Sequence, residues 1–134
     1  NPYYDSRNNC GGIIETATNT LICGWLNMTI PKSVTHIGDE AFSADYTADN
    51  YVVPDHITTI GNRAFYSCDG LTSVVIPENV VSIGNDAFYE CSNLTSVTFE
   101  DPNNWYSNNT LLNLSNPTTN ATELKNGRSK YYKK

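Results

Sequence analysis

The residues of this chain best able to do chemistry are four cysteines, two histidines and a knot of acids and tyrosines, Asp45, Tyr46, Asp49 and Tyr51. A thiolate redox couple or zinc site calls for paired cysteines, and no Cys-x-x-Cys occurs. His36 and His56 are too differently placed to share a metal or to act together as base and orienter. No His-Glu-x-x-His, Gly-x-Ser-x-Gly, phosphate loop or calcium loop is present. Aspartates are scattered over turn sequence, where capping and solubility account for them. The residues predict a non-catalytic chain with no metal and no cofactor.

Charge narrows the partners. The formal net charge is −6, and five of the eight basic residues, Lys125, Arg128, Lys130, Lys133 and Lys134, fall in the last ten positions. All fourteen acids precede Lys125, against only Arg7, Lys32 and Arg63. Such a body repels phosphate backbones and anionic membranes, which excludes nucleic acid as the expected partner. The basic tail reads as a solvated end. No apolar run is long enough to span a membrane, so no membrane insertion is expected. The chain opens Asn-Pro-Tyr-Tyr without the order of a signal peptide, and an array this short predicts an excerpt of a longer protein.

What must position these residues is a repeat. Ile30-Pro31, Val53-Pro54 and Ile76-Pro77 recur every 23 residues, as do Ile37-Gly38, Ile60-Gly61 and Ile83-Gly84, and Ala41-Phe42, Ala64-Phe65 and Ala87-Phe88. In the best-preserved unit, Leu71 to Asn93, the spacing of Leu71, Val74 and Ile76 reads as a short strand with alternate side chains inward. Pro77 ends it, because proline cannot donate to a further ladder bond. Val80 and Ile83 then turn back to the core, Gly84 permits a bend, and Asn85 is placed as the N-cap of a brief helical turn carrying Ala87 and Phe88. Asp39 and Asn62 hold the equivalent place. One coil cannot bury its inward residues, whereas coils stacked about 4.8 Å apart form continuous ladders and a parallel sheet. The expectation is an α/β solenoid with one β face, short helical turns opposite, and a column of Phe42, Phe65 and Phe88.

With Pro after the strand, Ile-Gly at the corner, Ala-Phe in the turn and Cys three residues before the next Leu, the unit resembles the treponemal or BspA-like class of leucine-rich repeat. Commoner classes keep an Asn or Cys ladder just after the strand; Lys32-Ser33, Asp55-His56 and Glu78-Asn79 form none. The resemblance covers Trp25 to Phe99 and extends more loosely to Thr18–Ile22, to Phe99–Trp105, to Asn120-Ala-Thr and to Tyr131-Tyr132-Lys133, without the Trp expected near the family's end. It implies a right-handed leucine-rich-repeat coil in a secreted or cell-surface protein of host-associated bacteria or parasitic protists, working in adhesion or protein recognition. The implied partner is a host or bacterial surface protein, bound by a monomer. A structural spacer, or a targeting repeat domain of a larger surface protein or hydrolase, is the alternative. One domain, 1–134, is expected: an N-terminal cap over 1–24, repeats over 25–99, and a C-terminal cap and tail over 100–134.

Cys68 and Cys91 share one phase, which places them one coil apart, within disulfide reach. The resemblance and their inward apolar phase favour buried free thiols. Cys10 and Cys23 flank a hairpin and their pairing is open. Between Phe42 and Val53, Asp45, Ala48 and Tyr51 replace the expected Cys, Leu and Val, predicting an irregular passage: a local bulge or a site. Ile13-Ile14 and Leu21-Ile22 read as a capping hairpin, and Trp105 with Leu111-Leu112 as the closing lid. Asn113 to Asn126 gives little order to predict. Sequons at Asn27, Asn93, Asn108, Asn113 and Asn120 matter only in a glycosylating eukaryote. If Leu71, Val74 and Ile76 face in, Ser73 and Val75 face out. Stepping by the repeat gives eight outward positions, Asn27, Thr29, Asn50, Val52, Ser73, Val75, Ser96 and Thr98, as the expected ligand-binding strip.

Overall fold

A computed structural model describes residues 2–7 and 11–134. The predicted strands form where β-branched residues alternate: β5 (Asn50–Val52), β7 (Ser73–Ile76) and β9 (Ser96–Phe99) make a three-stranded parallel sheet in the order β5-β7-β9. Their register is the repeat itself, with Asn50 opposite Ser73 opposite Ser96 and Val52 opposite Val75 opposite Thr98. Tyr51, Val74 and Val97 are buried between them, as are Leu71, Leu94 and Ile76. The first coil adds no strand to this sheet. Trp25 holds the phase of Leu71 and Leu94 but is 45% exposed, and Leu26 fills the core instead. Asn27 and Thr29, predicted as strand positions, therefore lie on irregular chain.

The expected single β face is in fact two. A second sheet runs along the corner, where Ile37, Ile60 and Ile83 plug the core from β4 (His36–Ile37), β6 (Thr59–Ile60) and β8 (Ser82–Ile83), again parallel and in repeat register. An antiparallel hairpin of β2 (Ile13–Glu15) and β3 (Thr20–Cys23), with β1 (Tyr4–Asp5) on its outside, extends this sheet from β4 and buries Ile14 and Leu21. At the other end it continues through β12 (Tyr131–Lys133) to β10 (Trp105–Ser107) and β11 (Thr110–Leu111), giving nine strands.

Helical turns were predicted on the side away from the β5-β7-β9 sheet, and there are none. Alternate amides are claimed by the next coil: Glu40 donates to Asn62 O (2.9 Å), Phe42 to Ala64 O (2.8 Å) and Ala44 to Tyr66 O (2.7 Å). An α-helix would need those N–H groups for its own ladder. The amides between them close four-residue turns, Ala41 to Gly38 O and Ser43 to Glu40 O, with Glu40 and Ala44 at positive φ (60° and 58°). The next coils repeat this at Arg63 and Ser67, and at Asp86 and Glu90. Non-glycine residues in this region cost of order 1 kcal/mol each, and the inter-coil bonds offset it.

Asp39, Asn62 and Asn85 are consequently not N-caps. Asp39 Oδ1 accepts the Asn62 N–H and Asn62 Oδ1 accepts the Asn85 N–H, each at 2.8 Å, so the polar ladder absent after the strand stands at this corner instead. It also explains the glycine before it. A Cβ on Gly84 would sit 2.5 Å from Asn62 N and 2.6 Å from Asn62 Oδ1, so close approach, more than the bend, requires glycine.

The rings of Phe42, Phe65 and Phe88 form the expected column, buried, with centroids 5.4 and 4.7 Å apart. Trp105 closes the last coil edge-on against Phe99 at 5.2 Å and is itself buried. Its expected companion Leu111 is exposed on β11; Leu112 alone packs on the core.

Two C-terminal expectations are overturned. Residues 117–126 fold as α1 (Pro117–Asn126), capped by Asn116 Oδ1 on the amides of Thr118 and Thr119, with Pro117 opening the first turn. Its propensity is poor; docking of Ala121, Leu124 and Asn120 on β9 holds it. The basic tail is no solvated end either. Tyr131 and Tyr132 pair with Ile83 and Ser82, Lys133 meets Asp101, and Arg128 meets Asp86 at 3.0 Å.

Candidate binding surface

Alternation along β5, β7 and β9 puts Asn50, Ser73 and Ser96 in one outward column and Val52, Val75 and Thr98 in the next. All six are partly or fully exposed, and Val52 is 63% exposed. The first column is tied laterally by Ser73 Oγ donating to Asn50 Oδ1 at 2.5 Å. Asn27 and Thr29 are exposed but not in register with them. The strip is therefore six residues on a fixed backbone, uncharged, with no side chain longer than asparagine.

The other chemically capable residues serve the backbone. Cys68 and Cys91 are fully buried free thiols, each donating to the carbonyl of a Phe in the preceding coil, Phe42 at 3.1 Å and Phe65 at 3.0 Å. A hydrogen bond with the Cys68 side chain, and then burial, push the Cys91 thiol well up, so it stays protonated and inert. Cys23 is an exposed free thiol; Cys10 lies outside the described residues. His56 Nδ1 donates to Val34 O at 2.7 Å, and His36 Nδ1 lies 2.6 Å from Thr59 Oγ1. Among the described residues no group of three His, Cys, Asp or Glu side chains could hold a metal.

The irregular passage is a plug. Asp45, in the phase of the two cysteines, accepts the Leu26 N–H on Oδ2 (2.7 Å) and the Thr47 N–H on Oδ1 (2.8 Å), which anchors the first coil. Tyr51 is buried against Phe42 and Phe65, and burial, helped by the Asp45 charge, pushes its hydroxyl above the ordinary tyrosine range. Of the four, Tyr46 and Asp49 stay exposed.

Sequence reasoning missed a stacked column on the turn face. Tyr66 and Tyr89 lie 6.1 Å apart, with Arg63 over the first ring at 5.4 Å and Arg128 over the second at 4.7 Å, both arginines meeting Asp86. The repeat step from Tyr66 to Tyr89 was the signal; Arg128, far along the chain, gave none.

The BspA type leucine rich repeat region matches residues 22–126 in six copies. The chain belongs to this family. Among solved structures, the chain is similar to a leucine-rich repeat protein from Eubacterium ventriosum, with 26% identity, a TM-score of 0.62, and coverage of 74% of this chain and 27% of that one. The T. pallidum leucine rich repeat protein shares the fold at 22% identity and a TM-score of 0.53, covering 72% of this chain and 46% of its own. One from Bacteroides capillosus does so at 20% identity and 0.53, covering 75% and 96%. The chain thus spans about a quarter of the length of the first and under half of the second. No curated protein matches it. No helix among the described residues is long and apolar enough to cross a membrane.

Proposed function

We propose that this BspA-type repeat domain is a non-catalytic binding module of a cell-surface or secreted protein, acting in protein recognition or adhesion through the outward face of the β5-β7-β9 sheet. The observation that carries this reading is the pair of columns Asn50, Ser73, Ser96 and Val52, Val75, Thr98, in strict register and free of long side chains. Covering such a strip immobilises few rotamers, so a partner loses little entropy in docking on it. The partner class is a host or bacterial surface protein, and the domain engages it as a monomer.

The test uses beads coated with the whole chain and applied to cultured epithelial monolayers or to bacterial cells. Ser73→Arg with Ser96→Arg should abolish attachment while shifting stability by within about 0.5 kcal/mol, since outward strand substitutions are usually that mild. Attachment unchanged in the double variant would move the site elsewhere, first to the passage between Asp45 and Tyr51. A spacer or targeting role within a larger surface protein or hydrolase is the second reading. It is favoured by the 27% share of the Eubacterium ventriosum protein that this chain spans, and it predicts no attachment by the isolated domain.

A further inference from the structure

The first coil keeps two aromatic side chains in water. Trp25 is 45% exposed and Tyr46 63%, although Trp25 stands in the phase that buries Leu71 and Leu94. Leaving so large an apolar ring outside forgoes the gain of burial, and yet the ring is not left loose. Gly11 lies against it: a Cβ there would stand 2.8 Å from Trp25 Cζ2, and φ of Gly11 is +84°, a conformation in which a side chain is strained. The indole is braced along one edge by backbone.

One carboxylate joins the two rings. Trp25 opens a turn that Met28 N–H closes on Trp25 O at 3.0 Å, and inside that turn the amide of Leu26 donates to Asp45 Oδ2 at 2.7 Å. Asp45 Oδ1 accepts the amide of Thr47 at 2.8 Å, on the far side of Tyr46. Trp25 and Tyr46 therefore flank a fixed junction, with Asn27 exposed at the outer corner of the turn. The indole N–H, the Tyr46 hydroxyl and the Asn27 side chain meet no hydrogen-bond partner among the described residues.

This chemistry fits a sugar. An aromatic face carries the negative part of the ring quadrupole, and the C–H groups on one side of a pyranose are its complement. Trp and Tyr supply that platform with only two side-chain torsions each to fix. The indole N–H donates, while the phenol and the Asn27 amide both donate and accept, as sugar hydroxyls require. Trp25, Tyr46, Asn27 and Thr47 fall far short of the about 20–30 residues a side of a standard protein interface. Charge narrows the sugar further: neither segment carries Lys or Arg, and Asp45 and Asp49 stand on either side of Tyr46 in the chain, so sialylated or sulfated glycans are repelled.

We propose that Trp25 and Tyr46 bind a neutral oligosaccharide, the two rings packing on sugar faces and Asn27 pairing with hydroxyls. The inference goes beyond the reading of the sheet face, and either can hold without the other.

The whole chain applied to immobilised mannose-, galactose- and N-acetylglucosamine-based neutral oligosaccharides, with their sialylated counterparts beside them, tests it. At least one neutral sugar should bind, and sialylation should weaken it. Trp25→Ala should reduce that affinity about tenfold or more, the scale of losing an anchor ring, and Trp25→Tyr should restore part of it. Tyr46→Ala, at a more exposed position, should reduce it a few-fold and serves if Trp25→Ala fails to fold. Trp105 is buried, so a fluorescence change on adding the sugar reports Trp25 and should vanish in Trp25→Tyr. Ser73→Arg with Ser96→Arg should bind the sugar as the parent does. The proposal is overturned if no neutral sugar binds, if sialylated sugars bind better, or if both ring variants keep the parent affinity. Loss of cell attachment in Trp25→Ala with no sugar bound would assign the rings to a protein partner and overturn it as well.

Discussion

The amide nitrogen of Asn120 lies 2.9 Å from the carbonyl oxygen of Val97, at the point where another coil would have offered a backbone N–H. The same nitrogen serves Leu114 O at 2.7 Å, and the residue is 1% exposed. One side chain therefore finishes the last strand. Asn120→Ala strands two buried carbonyls and should cost about 1–3 kcal/mol in urea denaturation, by the penalty for unsatisfied buried acceptors. Asn120→Asp should cost more, because a carboxylate there would face the carbonyls as a second acceptor. Wild-type stability in both variants would mean that α1, not its asparagine, closes the edge.

The middle ring of the Phe column has neighbours on both sides, whereas Phe42 and Phe88 each have one Phe neighbour. Phe65→Ala should lower stability by about 3–5 kcal/mol, the usual range for emptying a buried aromatic site. Equilibrium unfolding that shows under about 1 kcal/mol of loss would mean that the coils collapse into the space.

In the native protein Cys23 should react with Ellman's reagent, and Cys68 and Cys91 should not until denaturant is added in the absence of reductant. Their burial and their donation to Phe42 O and Phe65 O set this expectation. Mass mapping of the labelled peptides would assign each thiol. If neither of the pair becomes reactive on unfolding, they are joined.

Acid should loosen the C-terminal strand. The hydrogen bond from Lys133, followed by one from the Asn103 amide, holds the Asp101 carboxyl below its ordinary value. A folded pKa below the unfolded one contributes stability that is present above about pH 4 and is lost as pH falls through the lowered value. Asp101→Asn should therefore reduce the slope of melting temperature against pH below about pH 4 and leave the neutral plateau nearly flat, since exposed pairs contribute little. An unchanged acid slope would assign it to other carboxyls, first Asp5, which the Arg7 guanidinium holds still lower.

A fragment spanning 25–99 should aggregate or lose its cooperative transition, because it lacks both the β2-β3 hairpin on β4 and α1 on β9. A soluble fragment melting like the parent would refute the need for caps.

How much was legible follows from where each signal lives. The strands, the Phe column and the outward positions on β5, β7 and β9 were readable because alternation and a fixed step act within one coil. The Ala-Phe turn was misread because local capping signals resemble those of a helix, while the competing hydrogen bonds come from a chain 23 residues away, as Phe65 N to Ala87 O shows. The Asn116-Pro117 pair did announce a helix start and was passed over amid Asn and Thr. The first coil's departure could not be read, since Trp25 looks like any inward Leu until Asp45 is seen holding Leu26.

The corner ladder has a direction. Asp39 receives from Asn62, and Asn62 from Asn85, so every rung accepts from the coil after it, and both sheets and the turn bonds keep the same step. Inserting one residue anywhere in a coil would disengage all of these rows together, whereas a whole unit could slip in between Val53 and Leu71 and find every bond waiting. Such a chain can change its length only in quanta. Each one would lengthen the strip by about 4.8 Å and leave both lids untouched, so its reach across a partner is a number that duplication can count up or down without redesigning the surface.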